Sequence, residues 1–401
     1  MKKIVIIVSM VLLMPCFAIR AQDTTPITIK FKKSDLEGKD AMLSEMADEI
    51  SYIKLETHPD AIIGSSSRYY VNQIPQGFLF WSIRGGKIFL FNSDGTFRGI
   101  VGSEGKGPGE HYGVYKVRYD KYLDNILVLL YNKVLRYDMD GKFLFSVEID
   151  KNNGRVEQFC VKDDKTWLFT YKKPLKEDFF EVGILATNKD GEIVKKYDLT
   201  DDKSPGSYSY HTQLNYVYQI NGDSYYTPYD FYKSYKLNND DQWVPYVIID
   251  APFKKIPIGM FKGHNPMELS EIQNKNGFLI GGFVQGDFMK IRGNGPPIFN
   301  TFVNLDSKEI LYYSHDKRFH LFGFNNDIDG GIPIELRGAY TNGISLNMID
   351  AIKLLDYSKN GLLNPDGKDH GPYMNLAEVL ESTKPEDNPI LIVVRLKNQK
   401  N

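Results

Sequence analysis

One pattern recurs along this chain: a short apolar run, a tight turn, a second apolar run, an Asp-Gly or related turn, and a third run. Residues 77–101 read GFLFWSI, RGG, KIFLFN, SDG, TFRGIV, and residues 125–149 repeat the scheme as NILVLLY, NK, VLRYDM, DG, KFLFSVEI. A third copy covers 167–171, 182–188 and 192–199 around Asp190-Gly191. The fourth covers 223–228, 235–238 and 243–249, and the fifth 277–284, 299–305 and 309–314. The turn aspartates fall at 94, 140, 190, 240 and 306, spaced by 46, 50, 50 and 66 residues. Such a period fits a blade of about four strands, the last interval being stretched by an insertion. Each run has strand length and is bounded by Gly, Asn or Asp turn chemistry, which specifies antiparallel meanders. No long amphipathic helix separates the copies, which argues against a parallel α/β sheet.

The chain therefore reads as an all-β, six-bladed β-propeller with four-stranded antiparallel blades, filling residues 22–401. Its 26 Tyr and 24 Phe agree, since aromatic side chains favour half-buried strands. Residues 49–57 (EISYIKLET) form a strand before the first full copy, and residues 388–397 (NPILIVVRLK) a strand after the last. Pairing the two in blade six closes the ring and removes its open edge. The sixth copy is irregular. Strands are expected near 319–324 and 334–340, then helical stretches at 346–357 and 376–381 as decoration within the last blade.

Residues 1–21 have the form of a secretory leader: Lys2 and Lys3, an apolar run from Ile4 to Met14, and a small residue at Ala21 where cleavage would fall. The apolar run is too short to span a bilayer. Cys16 raises lipid attachment, but Pro15 is a poor neighbour for that cleavage, and the cut after Ala21 is preferred. The leader takes three of the 49 basic residues and no acid, so 46 basic face 51 acidic residues, a balance of −5. That is no footprint of a nucleic-acid binder. The mature chain, with no transmembrane helix, is expected in the periplasm or at the cell surface. Cys160 is its one cysteine and reads as a small buried hydrophobe.

Three segments carry a resemblance: 47–57 (ADEISYIKLET), 95–112 with GSEGKGPGEHY, and 387–397 (DNPILIVVRLK). With the repeats, they make the chain similar to the exported six-bladed β-propeller proteins of Bacteroides-type bacteria, which have NHL-like repeats and are described as lipoproteins of unknown function. The resemblance implies a propeller fold and carries over no catalytic residue. The chain departs from many members at the lipid-attachment Cys.

The glycine-rich stretch 102–110 is not a P-loop, because Lys106 precedes Gly107 and Ile100 stands where the first Gly is needed. It reads instead as a crossing between blades, with glycines supplying positive φ. In a four-stranded meander the crossing to the next blade and the turn between strands two and three share one face of the disc. Arg84, Lys106, Glu110, His111, Asn132, Lys133, Tyr229 and Asp230 are thereby placed on that face, with Arg292 in an insertion over 285–298. Loops of this kind commonly build ligand sites. Asn325, Asp327, Asp329 and Gly330 have the spacing of a calcium loop, but position twelve is Leu336, and a polar turn is the preferred reading.

The seven histidines show no close metal-ligand spacing, and the five-residue step from His315 to His320 puts them on opposite faces of a strand. No Gly-x-Ser-x-Gly elbow occurs. No cofactor is implied. The expected function is non-catalytic binding or scaffolding in the cell envelope, with a glycan, a peptide or an envelope protein as partner. The competing expectation is a propeller-type lyase or hydrolase with a metal in the axial channel.

Overall fold

The computed structural model describes residues 25–32, 38–82, 86–174, 180–198, 216–228, 232–251, 268, 271, 278–285, 287–294, 299–336 and 343–397. The leader, with Cys16, lies outside them. Six sheets stand in a ring, as a six-bladed propeller. Blade one is Tyr70–Ile74, Gly77–Trp81, Ile88–Asn92 and Phe97–Ile100. Blade two is Lys116–Asp120, Asn125–Leu129, Lys133–Tyr137 and Phe143–Glu148. Blade three is Arg155–Val161, Trp167–Pro174, Phe180–Thr187 and Ile193–Asp198. Blade four is Tyr216–Ile220, Asp223–Thr227, Lys233–Leu237 and Trp243–Asp250.

The burial pattern across each blade follows from its place between two neighbours. Gly77–Trp81 and Asn125–Leu129 are buried at every position, because both of their faces pack on adjacent blades. They read as continuous apolar runs for that reason. Outer strands such as Phe143–Glu148 are mostly exposed. Inner strands begin at an exposed or half-buried residue and are mixed beyond it, as in blade two, where half-buried Lys116 and Arg118 flank buried Val117.

Gly95, Gly141 and Gly191 close the turns between third and fourth strands with φ of 88°, 81° and 89°. A Cβ at Gly141 would lie 2.5 Å from the Ile100 carbonyl oxygen, and one at Gly191 2.5 Å from that of Glu148. Each glycine thus answers two demands at once: a left-handed backbone, and contact with the outer strand of the preceding blade.

Blade five corrects the sequence reading. Its first strand, Phe278–Gln285, is followed at once by Phe288–Asn294, the strand that the sequence reading took for an insertion. Lys290 and Arg292 alternate there with buried Met289 and Ile291, which masks the strand in an apolar scan. Phe299–Asn304, Ile310–Asp316 and a short fifth strand, Leu321–Gly323, complete the sheet. The long interval in the repeat comes instead after blade four, over 252–277, of which only 268 and 271 are described.

Blade six is closed as expected. Ala47–Lys54 pairs antiparallel with Ile390–Leu396, and Ile344–Ile349 flanks the latter. One strand expectation fails here: Leu321–Gly323 belongs to blade five. Of the strand expected at 334–340, Ile334 makes a bridge to Phe324, and residues 337–340 lie outside the described residues. The stretch 346–357 is also not one helix: residues through Ile349 finish a strand, and the helix Ala351–Lys359 begins after Asp350. The helix Leu376–Ser382 is present, started by a capping box in which Asn375 and Glu378 bond each other's backbone N–H. Both helices lie between strands of blade six, as decoration.

A further element has no counterpart in the sequence reading. Ile27–Lys30 adds a parallel strand to the outer edge of blade four, Asp40 and Met42 bridge to Tyr312 and Asn325 along blade five, and the chain then becomes the outer strand of blade six. This N-terminal belt covers sheet edges that would otherwise be open.

A candidate ligand site at the axis

Strands within a blade alternate in direction, so the turns after strands one and three lie on one face of the disc. The turn after strand two and the crossing to the next blade lie on the other, the crossing face. Inner strands begin there. In blades one to four their first residues are Tyr70, Lys116, Arg155 and Tyr216, two phenols and two cations at one mouth of the axis.

Tyr70 stacks on Trp81 at 4.7 Å, and the Lys116 Nζ lies 5.9 Å and 5.7 Å from the two ring centroids. The Arg155 guanidinium lies 5.5 Å from the Tyr115 ring and pairs with Glu157 at 3.3 Å. Tyr216 packs edge-on against Phe283 at 4.8 Å. Burial, then the Tyr70 hydroxyl and the Glu157 carboxylate, push the Tyr216 phenol up to about 12.

Below this rim, Asn72 Nδ2 donates to the Val117 carbonyl at 3.2 Å, and Arg118 Nη1 lies 3.5 Å from the same oxygen. Burial raises the Glu157 carboxyl above the usual range, opposed by Lys172 and Arg155. The Cys160 thiol is pushed up to about 12 by burial, against the pull of Arg118, and stays protonated at neutral pH. That chemistry is inert, as the sequence reading expected. Among the described residues no three His, Cys, Asp or Glu side chains gather as metal ligands.

The residues singled out from sequence are distributed differently. Lys106 is exposed on the crossing loop between blades one and two. Glu110 folds that loop down by accepting from Gly107 N at 2.8 Å. His111 is fully buried, its Nε2 2.8 Å from the Val101 carbonyl oxygen and its ring edge-on to Tyr137. Asn132 is buried and donates to Gly154 O at 2.8 Å. Lys133 pairs with Glu148 at 3.4 Å. Arg292 sits on a strand, its guanidinium 5.8 Å from the Phe322 ring, on the flank of blade five and not in a loop. Arg84, Tyr229 and Asp230 lie outside the described residues. Of the described residues in this set, His111 and Asn132 are buried and Arg292 lies on a strand.

The calcium-like loop ties the belt to the rim. Asp327 accepts from Ser44 N at 2.9 Å and Ser44 Oγ at 2.6 Å, and Asp329 from Tyr52 Oη at 2.7 Å, while the Asn325 carbonyl accepts from Leu43 N. A polar cleft of about 360 Å³ opens beside it, bordered by Met42, Arg318 and Leu362, at the rim and away from the axis. His315 and His320 are not on opposite faces: the chain reverses between them, and their rings lie 6.1 Å apart, both exposed.

The fold has relatives among solved structures. It superposes on an exported protein of Bacteroides fragilis with a TM-score of 0.69 and 17% identity, over 93% of this chain and 100% of that one. A Bacteroides vulgatus protein of the DUF4221 family matches over 88% of this chain and 97% of that one, with a TM-score of 0.45 and 9% identity. No curated protein matches the sequence. The family model for a domain of unknown function, DUF4934, matches residues 26–395, which run from the belt strand on blade four to the closing strand of blade six. The chain belongs to the DUF4934 family.

Proposed function

We propose that this chain is an exported, non-catalytic binding propeller of the cell envelope, taking its ligand on the crossing face at the mouth of the axis. The observation that carries the reading is the convergence of Tyr70, Lys116, Arg155 and Tyr216 from four different blades. Aromatic rings with a polar tip and cations on rigid strands are the groups that recognition sites use. Five of the nine exposed large apolar side chains among the described residues, Ile62, Tyr70, Tyr112, Tyr131 and Ile352, lie on its loops or at its strand starts, the others being Tyr122 on the opposite face and Leu144, Phe145 and Val194 on outer strands. A glycan, a peptide or an envelope protein would each fit such a surface. Export is supported by the leader-like residues 1–21 and by the description of the Bacteroides fragilis relative as exported. Cleavage after Ala21 releases the chain without a lipid anchor, and its repeats are read as NHL-like.

The test is a glycan and peptide array probed with the purified mature protein, followed by titration of the hits. Tyr70→Ala should weaken binding by about tenfold or more, as loss of an aromatic anchor does. Tyr122→Ala, on the opposite face, should leave binding unchanged. Equal losses from the two substitutions, or hits indifferent to Tyr70, would place the ligand elsewhere.

A further inference from the structure

Lys116 and Arg118 project from the same side of the inner strand of blade two, two residues apart. Among the described residues no carboxylate answers either of them. The Lys116 ammonium meets the rings of Tyr70 and Trp81, and Arg118 reaches only the Val117 carbonyl, at 3.5 Å. The acid next along that side, Asp120, is taken: it accepts from Trp167 Nε1 at 3.1 Å and from Lys189 Nζ at 2.8 Å. Glu157, across the seam, is held by Arg155. Cys160 stays protonated and supplies no negative charge.

Half-burying two adjacent like charges without a counter-charge is costly, and folds rarely tolerate it without a reason. Burial holds the Lys116 ammonium well below its ordinary range, with repulsion from Arg118 adding to the effect, and burial brings Arg118 down to about 10. At neutral pH the Arg118 guanidinium is charged, on a residue two positions below the mouth along the inner strand of blade two.

We infer that the axial mouth is an oxyanion seat, in which Lys116 and Arg118 take a carboxylate, phosphate or sulfate group of the ligand while Tyr70 and Tyr216 cover its body. The inference rests on the proposed binding function and adds its charge class. Arginine supplies a planar fork for two oxygens and lysine a point charge, a pairing suited to an oxyanion. The stacked Tyr70 ring and the Tyr216 phenol above them suit a ring-bearing ligand.

The experiment is thermal unfolding and calorimetric titration of the mature chain with sodium phosphate, sodium sulfate and sodium galacturonate at fixed ionic strength, with galactose as the uncharged control. The expected result is a saturable rise in Tm with at least one oxyanion and none with galactose. A response to galacturonate alone identifies an acidic sugar, and equal responses to all three identify a seat for the bare oxyanion. Lys116→Met and Arg118→Met should each weaken the effect by about tenfold or more, since charge-assisted hydrogen bonds are lost. Both should raise the Tm of the free protein, because a like-charge repulsion is relieved. Arg118→Lys keeps the charge and loses the fork, so its response should fall between those of the parent and of Arg118→Met, which separates loss of charge from misfolding. No saturable shift with any oxyanion, or a shift that survives in the double Met variant, overturns the seat. Array binding that depends on Tyr70 but not on the two cations would leave the binding function standing and remove the oxyanion.

Discussion

Asp241 holds the position in blade four that Gly95, Gly141 and Gly191 hold in blades one to three, and it adopts the same left-handed turn, at φ 57°. Aspartate bears that conformation better than most residues. What it adds is an anchor across the seam: its carboxylate accepts from Lys162 Nζ at 2.8 Å, Lys195 Nζ at 2.8 Å and Tyr197 Oη at 2.7 Å, all from blade three. Burial alone would raise this carboxyl, but the bonds from Lys162, Lys195 and Tyr197 win and hold it down at about 2. A carboxyl depressed in the folded state stabilises the fold above its unfolded value of 3.8, and the contribution drains away as pH falls towards about 2. Asp241→Asn should therefore be less stable than the parent by a constant amount at neutral pH, and the gap should narrow between pH 3.8 and about 2. Urea unfolding of both proteins across that range measures it. A gap independent of pH would mean that the charge is not what joins the two blades.

At the scale of strands, what could be read from the sequence depended on burial. In blades one to three the second and third strands are sandwiched, so they appear as largely apolar runs, and the turns that follow the third strands carry Asp and Gly. The ring, its closure and the turn positions were legible for that reason. Inner strands such as KVRYD and RVEQFCV border the axis and mix charge with apolar residues, so they pass for loops. The candidate site is built on those strands and was missed with them. A period-two scan of the residues just before each apolar run would have flagged Tyr70, Lys116, Arg155 and Tyr216. The belt was equally hidden, because Ile27–Lys30 is too short to declare itself without the edge it covers. The belt's continuation is pinned at one point in particular. Tyr52 donates to Asp329, a buried carboxylate that also accepts from Asn326 Nδ2 at 2.7 Å and Gly331 N at 2.9 Å. Tyr52→Phe removes one of three donors and should cost about 1–3 kcal/mol of stability, the price of an under-satisfied buried acceptor. Denaturant unfolding at pH 7 gives the number, and a loss below about 0.5 kcal/mol would show that the belt is held by its strand pairing alone.

At the scale of the whole ring, closure depends on a strand contributed from each end of the chain. Ile390–Leu396 receives Ala47–Lys54 on one edge and Ile344–Ile349 on the other, and Asn388 just before it accepts from Ile63 N at 2.8 Å and donates to the carbonyls of Glu56 and Ala61. Two clusters share the strand, since Ile392 and Val394 pack towards blade five while Leu391 and Val393 pack towards blade one. Damage there is transmitted to both neighbours. The outer strand of blade three offers the opposite case: it pairs on one edge only, and Val194 is 60% exposed. The same substitution at the two places should separate closure from periphery. Val394→Asp buries a carboxylate with no partner at a position that is 0% exposed and should cost about 4 kcal/mol or more, broadening or splitting the unfolding transition. Val194→Asp should fall within about 0.5 kcal/mol of the parent and leave a single transition. Comparable effects at the two sites would mean that the six blades stand as independent sheets, each stable without the closing strand. A ring that loses cooperativity only through residue 394 would establish that the two termini hold all six blades in register, the axial mouth included.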